Sequence, residues 1–331
     1  GNGSDAHSIT NSANSGDFKP DWVWTKNRTG TARNHSIFDS SRGINKYLYT
    51  NASDTEANVS SSLQSFDTNG FTVGTSTQVN PNGNSMVAWQ WKANGGTTSS
   101  NSDGGITSTV QANTTAGFSI VTYTGTGSAT TVGHGLGATP KLVIVKERAN
   151  TNSWLVQSNL FSSSNFVTFL NRSDTGGEND STTFNGTFPT SSVFSVGTHT
   201  GTNRSSGTYV AYCFANIKGY SKIGSYTGNG STDGTFVYTG FRPAFILIKG
   251  TNVAQGWWMF DNKRVGYNVD NNLIQAESSA AENTSDWIDI LSNGFKPRSS
   301  DNGLNGSYNY IYMAFAEHPF VSSKGVPTTA R

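Results

Sequence analysis

Three seven-residue phrases organise the hydrophobic pattern of this chain: PDWVWTK from Pro20, PKLVIVK from Pro140 and PAFILIK from Pro243. Proline donates nothing to a sheet ladder, so it suits the first residue of a strand. The five apolar-leaning residues behind it describe a strand covered on both faces, or one in the middle of a sandwich core. The closing lysine is expected to return the chain to solvent. Each heptad is followed by a short apolar strand, a polar turn, a second strand and a polar run. Next comes an aromatic among small residues (NGFTVGT, SSVFSVGT, SNGFKPRS) and a closing apolar phrase (SMVAWQWK, TYVAYCFA, YIYMAFAE). Strand alternation puts Met86, Ala88 and Gln90 on one face and Val87, Trp89 and Trp91 on the other.

The heptad prolines stand 120 and 103 residues apart, and Ala88, Ala211 and Ala314 of the closing phrases 123 and 103 apart. A period near 100 residues suits a complete domain rather than a solenoid unit. The expected units are 1–96, 97–219 (a linker plus the second repeat) and 220–320, with 321–331 as an extended tail. The second and third repeats open on GFSIVTYTGTGS (117–128) and YSKIGSYTGNGS (220–231). The first begins at GNGS and lacks the strand before it, so either the chain starts inside a longer protein, the favoured reading, or something else supplies that strand. Residues 94–116 begin as a flexible Gly/Ser/Thr linker, with ITSTVQA as the opening strand of the second unit. Only NIKGY separates the second and third units, so these are expected in fixed contact.

Composition agrees with strands. Charged residues are 13% of the chain, glycine contributes 37 positions, and Ser, Thr and Asn fill the gaps, a poor supply for helix surfaces. Aromatics at 12% with many β-branched residues favour short strands and polar turns. The expected fold is all-β: three antiparallel β-sandwiches in a row, almost without helix. A net charge of +1 excludes a dedicated nucleic-acid binder. No segment is apolar for the length a bilayer crossing needs, and the start carries no charged-then-apolar signal region. Cys213, the single cysteine, lies in an apolar run and reads as a buried thiol. The Asn-x-Ser/Thr triplets at Asn27, Asn51, Asn203 and Asn305 are those chance produces in such a composition.

Chemistry is sparse. A glycosidase needs two carboxylates at a set separation. Glu147 with Glu178, or Asp286 with Asp289, are the pairs available, but neither recurs, and the acidic position of Asp39 and Asp261 becomes Gln157 in the middle unit. No catalysis is expected. The five histidines show no metal-ligand spacing. Asp67 in DTNG and Asp270 in DNNL offer oxygens to Ca²⁺, yet serve equally as Asx turns, so no cofactor is expected. The candidate ligand-contacting residues are Trp257, Trp154 and His134. Trp154, Trp257 and Trp258 follow polar loops, where an indole face can stack on a sugar ring, but core filling is the reading for at least two of them. Trp257 is kept as the exposed platform. His134, in VGHGLG, competes with a plain turn or strand-edge role.

YTGNGS, VGHGLGATPKLVIVK, SNSDGGITSTVQANTTAGFSIVTYTGTGS and the ending AFAEHPFVSSKGVPTTAR resemble the tandem domains of marine bacteriophage virion proteins described as tail-fibre-like or lectin-like (concanavalin A-like). The resemblance spans essentially the whole chain. It implies lectin-like jelly rolls in a virion structural or host-attachment protein, made in the host cytoplasm and placed on the virion or an extracellular surface. Its partners would be other virion proteins, host-surface glycan and further copies of itself, a trimer by analogy with fibres. It implies no defined set of binding residues. An architectural capsid or tail decoration and a secreted bacterial adhesin are the alternatives.

Overall fold

The computed structural model describes residues 1–11, 17–175, 177–264, 268, 272–321 and 327–328. Among these the chain is all-β with antiparallel strand pairs, apart from one helical turn, Thr200–Asn203. One strand order recurs three times. In the third unit it runs opening strand Ser221–Thr227, closing strand Asn309–Ala316, heptad strand Pro243–Gly250, then Trp257–Asp261 and Ile274–Gln275. The second unit repeats it with Phe118–Thr124, Thr208–Phe214, Leu142–Glu147, Leu155–Ser158 and Phe166–Phe169, and adds Glu178–Asn179 on one edge and Ser108–Asn113 and Ser99–Asn101 on the other. The first has Met86–Trp91, Trp22–Asn27, Ser36–Asp39, Lys46–Tyr49 and Ala57–Asn58, with no opening strand among the described residues. A smaller sheet accompanies each large one: His7–Thr10 with Gly70–Val73 and Leu63–Asp67, Thr130–Gly133 with Val193–Val196, and Val237–Tyr238 with Gly294–Pro297 and Ile288–Leu291.

The heptads explain themselves through two cores. One side of each heptad strand (Val23; Val143 and Val145; Ile246 and Ile248) packs into that unit's own core. The other side (Trp22 and Trp24; Leu142 and Ile144; Phe245 and Leu247) enters a core shared by all three units. Trp22 centres that shared core, its ring 4.7 Å from Trp91, 5.7 Å from Phe118, 5.0 Å from Tyr212 and 5.8 Å from Phe214.

The units therefore close a ring rather than lie in a row, and each joint repeats the same contacts. Lys26, Lys146 and Lys249 are wholly buried, not returned to solvent. Lys146 Nζ donates to Ser53 O of the first unit (3.2 Å), Lys26 Nζ to Ser279 O of the third (2.9 Å) and Lys249 Nζ to Asp174 O of the second (2.5 Å). Burial pushes all three ammonium groups down to about 8. Two joints carry a further ion network. Arg148 clamps Glu56 bidentately at 2.9 Å, and Arg28 clamps Glu282 likewise. Burial raises these carboxylates and the arginines more than reverse it, so both sit below the usual range. At the third joint Thr251 stands where Arg28 and Arg148 do, and the units meet by a Thr175–Ala254 bridge.

Register corrects two expectations. Ile248 faces Tyr312 where Thr25 faces Ala88 and Val145 faces Ala211, so the third counterpart of the alanines is Tyr312, two residues before Ala314. Ser158, not Gln157, occupies the position of Asp39 and Asp261, since it lies opposite Leu142 as they lie opposite Trp22 and Phe245. The 94–116 segment is pinned, not flexible at its start: Gly95 N donates to Asp21 Oδ2 and Gly96 N to Gln111 Oε1, both at 2.8 Å. Its ITSTVQA part does form the strand Ser108–Asn113. In the tail, Phe320–Val321 pairs antiparallel with Pro327–Thr328.

A buried asparagine holds the G-x-G-S phrase in every unit. Asn80, Asn203 and Asn305 accept at Oδ1 from the amides of Asn2, Thr126 and Asn229, and donate from Nδ2 to the carbonyls of Ser4, Ser128 and Ser231. The second glycine of each phrase is left-handed, with φ of 68° at Gly3, 80° at Gly127 and 68° at Gly230, which a side chain would strain.

Candidate functional site

The tryptophans expected at a ligand surface are core residues. Trp154 is 0% exposed and Trp257 1%. Each indole Nε1 donates across a joint, Trp154 to Tyr49 O at 2.7 Å and Trp257 to Phe169 O at 2.9 Å, so neither offers a free face to a sugar. Both answer to the same ring position, and His35 takes it in the first unit. There Trp24 Nε1 donates to His35 Nδ1 at 2.9 Å, and burial with the Lys26 ammonium holds the imidazole well below its ordinary value. His134 is buried as well. Its Nδ1 accepts from Leu136 N and its Nε2 lies against Thr190 O, both at 3.2 Å, which makes it a turn lock. Burial lowers its pKa.

The first nominated acid pair separates. Glu147 is buried and accepts from Asn150 Nδ2 (2.6 Å) and Arg204 Nε (2.9 Å), while Glu178 on its edge strand pairs with Arg172. Asp67 accepts from Ser65 and Thr72 hydroxyls as a turn residue, and Asp270 lies outside the described residues. Among the described residues no three His, Cys, Asp or Glu side chains gather as a metal site. Asn27, Asn203 and Asn305 of the Asn-x-Ser/Thr triplets are buried. Cys213 is buried too, its thiol pushed up to about 12 by that burial.

An outward-facing cluster that the sequence reading passed over lies on the small sheet of the third unit. Val237 points into the core, so its neighbours Phe236 and Tyr238 point out, 45% and 56% exposed. The adjoining strand presents Gly294 and Lys296 on that same side, and the next one Asp289. Lys222 Nζ donates to Tyr238 O at 2.7 Å and stands 5.2 Å from the Tyr238 ring centre. Asp233 accepts from Lys296 (2.6 Å) and Arg298 (3.2 Å), and the Lys296 ammonium keeps it below the usual carboxylate range. Arg298 also pairs with Asp289. These last two line a cavity of about 390 Å³ with Thr232, Asp286 and Ile288, so the second nominated acid pair lies here.

The repeat itself sets this cluster apart. Phe71, Phe194 and Phe295 mark equivalent positions, opposite Ile9, Val132 and Val237. The residues flanking those three are Ser8 and Thr10 in the first unit, Thr131 and Gly133 in the second, and Phe236 and Tyr238 in the third. Two aromatics stand where the scaffold needs only small or polar side chains. In sequence the signal is the exchange between registered repeats at TFVYT, legible only once the short strands are aligned.

The chain belongs to the family described as Domain of unknown function (DUF7483), which matches residues 1–319. No curated protein matches it. No solved structure matches it either.

Proposed function

We propose that this chain is a non-enzymatic bacteriophage virion protein, a tail fibre or surface appendage built of three lectin-like jelly-roll units. In this reading the third unit meets host-surface glycan through Phe236 and Tyr238. The observation that carries the reading is that exposed aromatic pair at positions the other two units fill with Ser8, Thr10, Thr131 and Gly133. Aromatic faces take the apolar side of a pyranose, and the neighbouring Asp233, Lys296, Asp289 and Arg298 supply hydrogen-bonding groups for its hydroxyls. A surface with little net charge gives no long-range steering, so affinity per site is weak. Self-association into a symmetric oligomer, a homotrimer by the phage resemblance, multiplies it by about 10²–10⁴ through effective concentration. Other virion proteins anchor the assembly, and the particle surface is its location.

The test is a glycan array probed with the intact protein and with the Phe236→Ser, Tyr238→Thr double variant. The expected result is binding by the parent and loss by the variant at an unchanged melting temperature. Equal binding by both, or none by the parent on arrays of host envelope glycans, overturns the proposal.

A further inference from the structure

The joint between the third and first units differs from the other two at one side chain. Thr50 N, Leu170 N and Ala276 N donate to the carbonyls of His35, Trp154 and Trp257, so these three positions correspond, and so do Tyr49, Phe169 and Gln275. Trp154 donates across its joint to Tyr49 O and Trp257 to Phe169 O. By the same geometry His35 is directed at Gln275 O of the third unit. A second exchange accompanies it. Trp24 lies opposite Ile37 where Ile144 lies opposite Val156 and Leu247 opposite Met259, so an indole stands where the sister units carry aliphatic side chains. The two exchanges together bring an indole donor onto a titratable acceptor.

Trp24 Nε1 donates to His35 Nδ1 at 2.9 Å, so the neutral imidazole carries its own proton on Nε2. Nε2 is buried without a hydrogen bond of good geometry, and the Gln275 and Ser278 carbonyls act on it from the third unit. The residue is 0% exposed. Two cations act on it, Lys26 from the heptad strand and Arg264 from the third unit. The carboxylates beyond Arg264, Asp261 and Glu282, are already paired with that guanidinium. Glu277, in the same third-unit stretch, accepts instead from Trp257 N at 2.8 Å, and the first unit's own Asn51 accepts from His35 N at 2.9 Å. A proton added at Nδ1 converts that acceptor into a donor aimed at the Trp24 N–H, and it places a third positive charge in a site closed to solvent.

We propose that His35 is a proton-operated latch on the ring of units. Uptake of one proton at Nδ1 expels the Trp24 indole and parts the first unit from the third, while the joints built on Trp154 and Trp257 stay closed. The segment 94–116 ties the first unit to the second and NIKGY the second to the third, whereas the third and first units meet through contacts such as Glu282 N to Arg28 O (3.0 Å). The closed imidazole resists a proton that the opened one accepts at its ordinary 6.5, so the latch holds fully above that value and weakens as pH falls below it. Glu56 and Glu282 sit below the usual carboxylate range and keep their arginines through that window. His134 is lowered by burial as well, and Glu277 is raised, so a melt of the whole molecule mixes groups of opposite sign and a local reading isolates His35.

The experiment labels the tryptophan indole nitrogens of the full chain and follows hydrogen exchange of each Nε1–H by NMR at pH 7.5 and pH 5.0. An opening that admits a proton at 6.5 becomes about thirtyfold more favourable over that range. The protection factor of the Trp24 indole is therefore expected to fall by about thirtyfold, while those of Trp154 and Trp257 hold. His35→Gln keeps a polar side chain that does not titrate, and His35→Trp restores the residue of the sister units. Both should leave Trp24 protection independent of pH, and where neither variant folds the parent's three indoles decide. Unchanged protection at Trp24 in the parent overturns the proposal. So does an equal fall at all three indoles, which is general acid unfolding, and so does an undiminished fall at Trp24 in folded His35→Gln, which places the proton elsewhere.

Discussion

Trp22→Ala tests how far one unit depends on another. Trp22 belongs by sequence to the first unit, yet Phe118, Tyr212 and Phe214, three of the rings around it, belong to the second. It is 1% exposed, so truncation removes a full indole from a packed site. Such deletions cost about 3–5 kcal/mol, with about 0.5–1.5 kcal/mol per aromatic pair included in that figure. Set against a total stability of about 5–15 kcal/mol, this is a large fraction. Urea denaturation followed by far-UV circular dichroism gives the magnitude, and amide exchange in Phe118–Thr124 gives its reach. The expected outcome is a loss of at least about 3 kcal/mol, with faster exchange in that second-unit strand. A loss below about 1 kcal/mol, or unchanged exchange there, refutes a shared core.

Three other outcomes follow from the same contacts. The heptad lysines sit at about 8 in the folded chain against 10.5 ordinarily, so between those values the unfolded chain binds more protons and stability rises with pH; thermal melts at pH 7.5 and 9 should show the higher temperature at pH 9, although Cys213, raised to about 12, opposes part of the gain. Asn203→Ala leaves Thr126 N, Ser128 O and Gly197 O without their partner and should cost roughly 2–4 kcal/mol in urea titrations. Ile246→Asp buries an unpaired carboxylate in the third unit's core and should abolish the folded state, while Pro243→Ala, beside a register irregularity, should leave the melt within about 1 kcal/mol.

Sequence pattern reached the strands and their repetition because period-two alternation and turn residues are local signals. The heptads even announced two buried faces: Trp22 and Trp24 against Val23, Leu142 and Ile144 against Val143. What covered the second face was not legible, since a covering partner some 100 residues away leaves no mark on the strand it covers. The same blindness misplaced Lys26, Lys146 and Lys249, whose ammonium groups find carbonyls only in a neighbouring unit. Trp257 looked like a platform because its loop is polar, and the indole proved to be a joint. Phe236 and Tyr238 escaped notice because a two-residue strand shows too little alternation to reveal which side faces out.

The central claim is that three repeats, joined through one core, fold as a single body. Native-state hydrogen exchange across a urea series reads it directly, through the slowest amides of Trp22–Asn27, Leu142–Glu147 and Pro243–Gly250. A shared core predicts one opening free energy and one urea slope for all three strands. Three distinct free energies, each with a smaller slope, would mean three independent domains and contradict it.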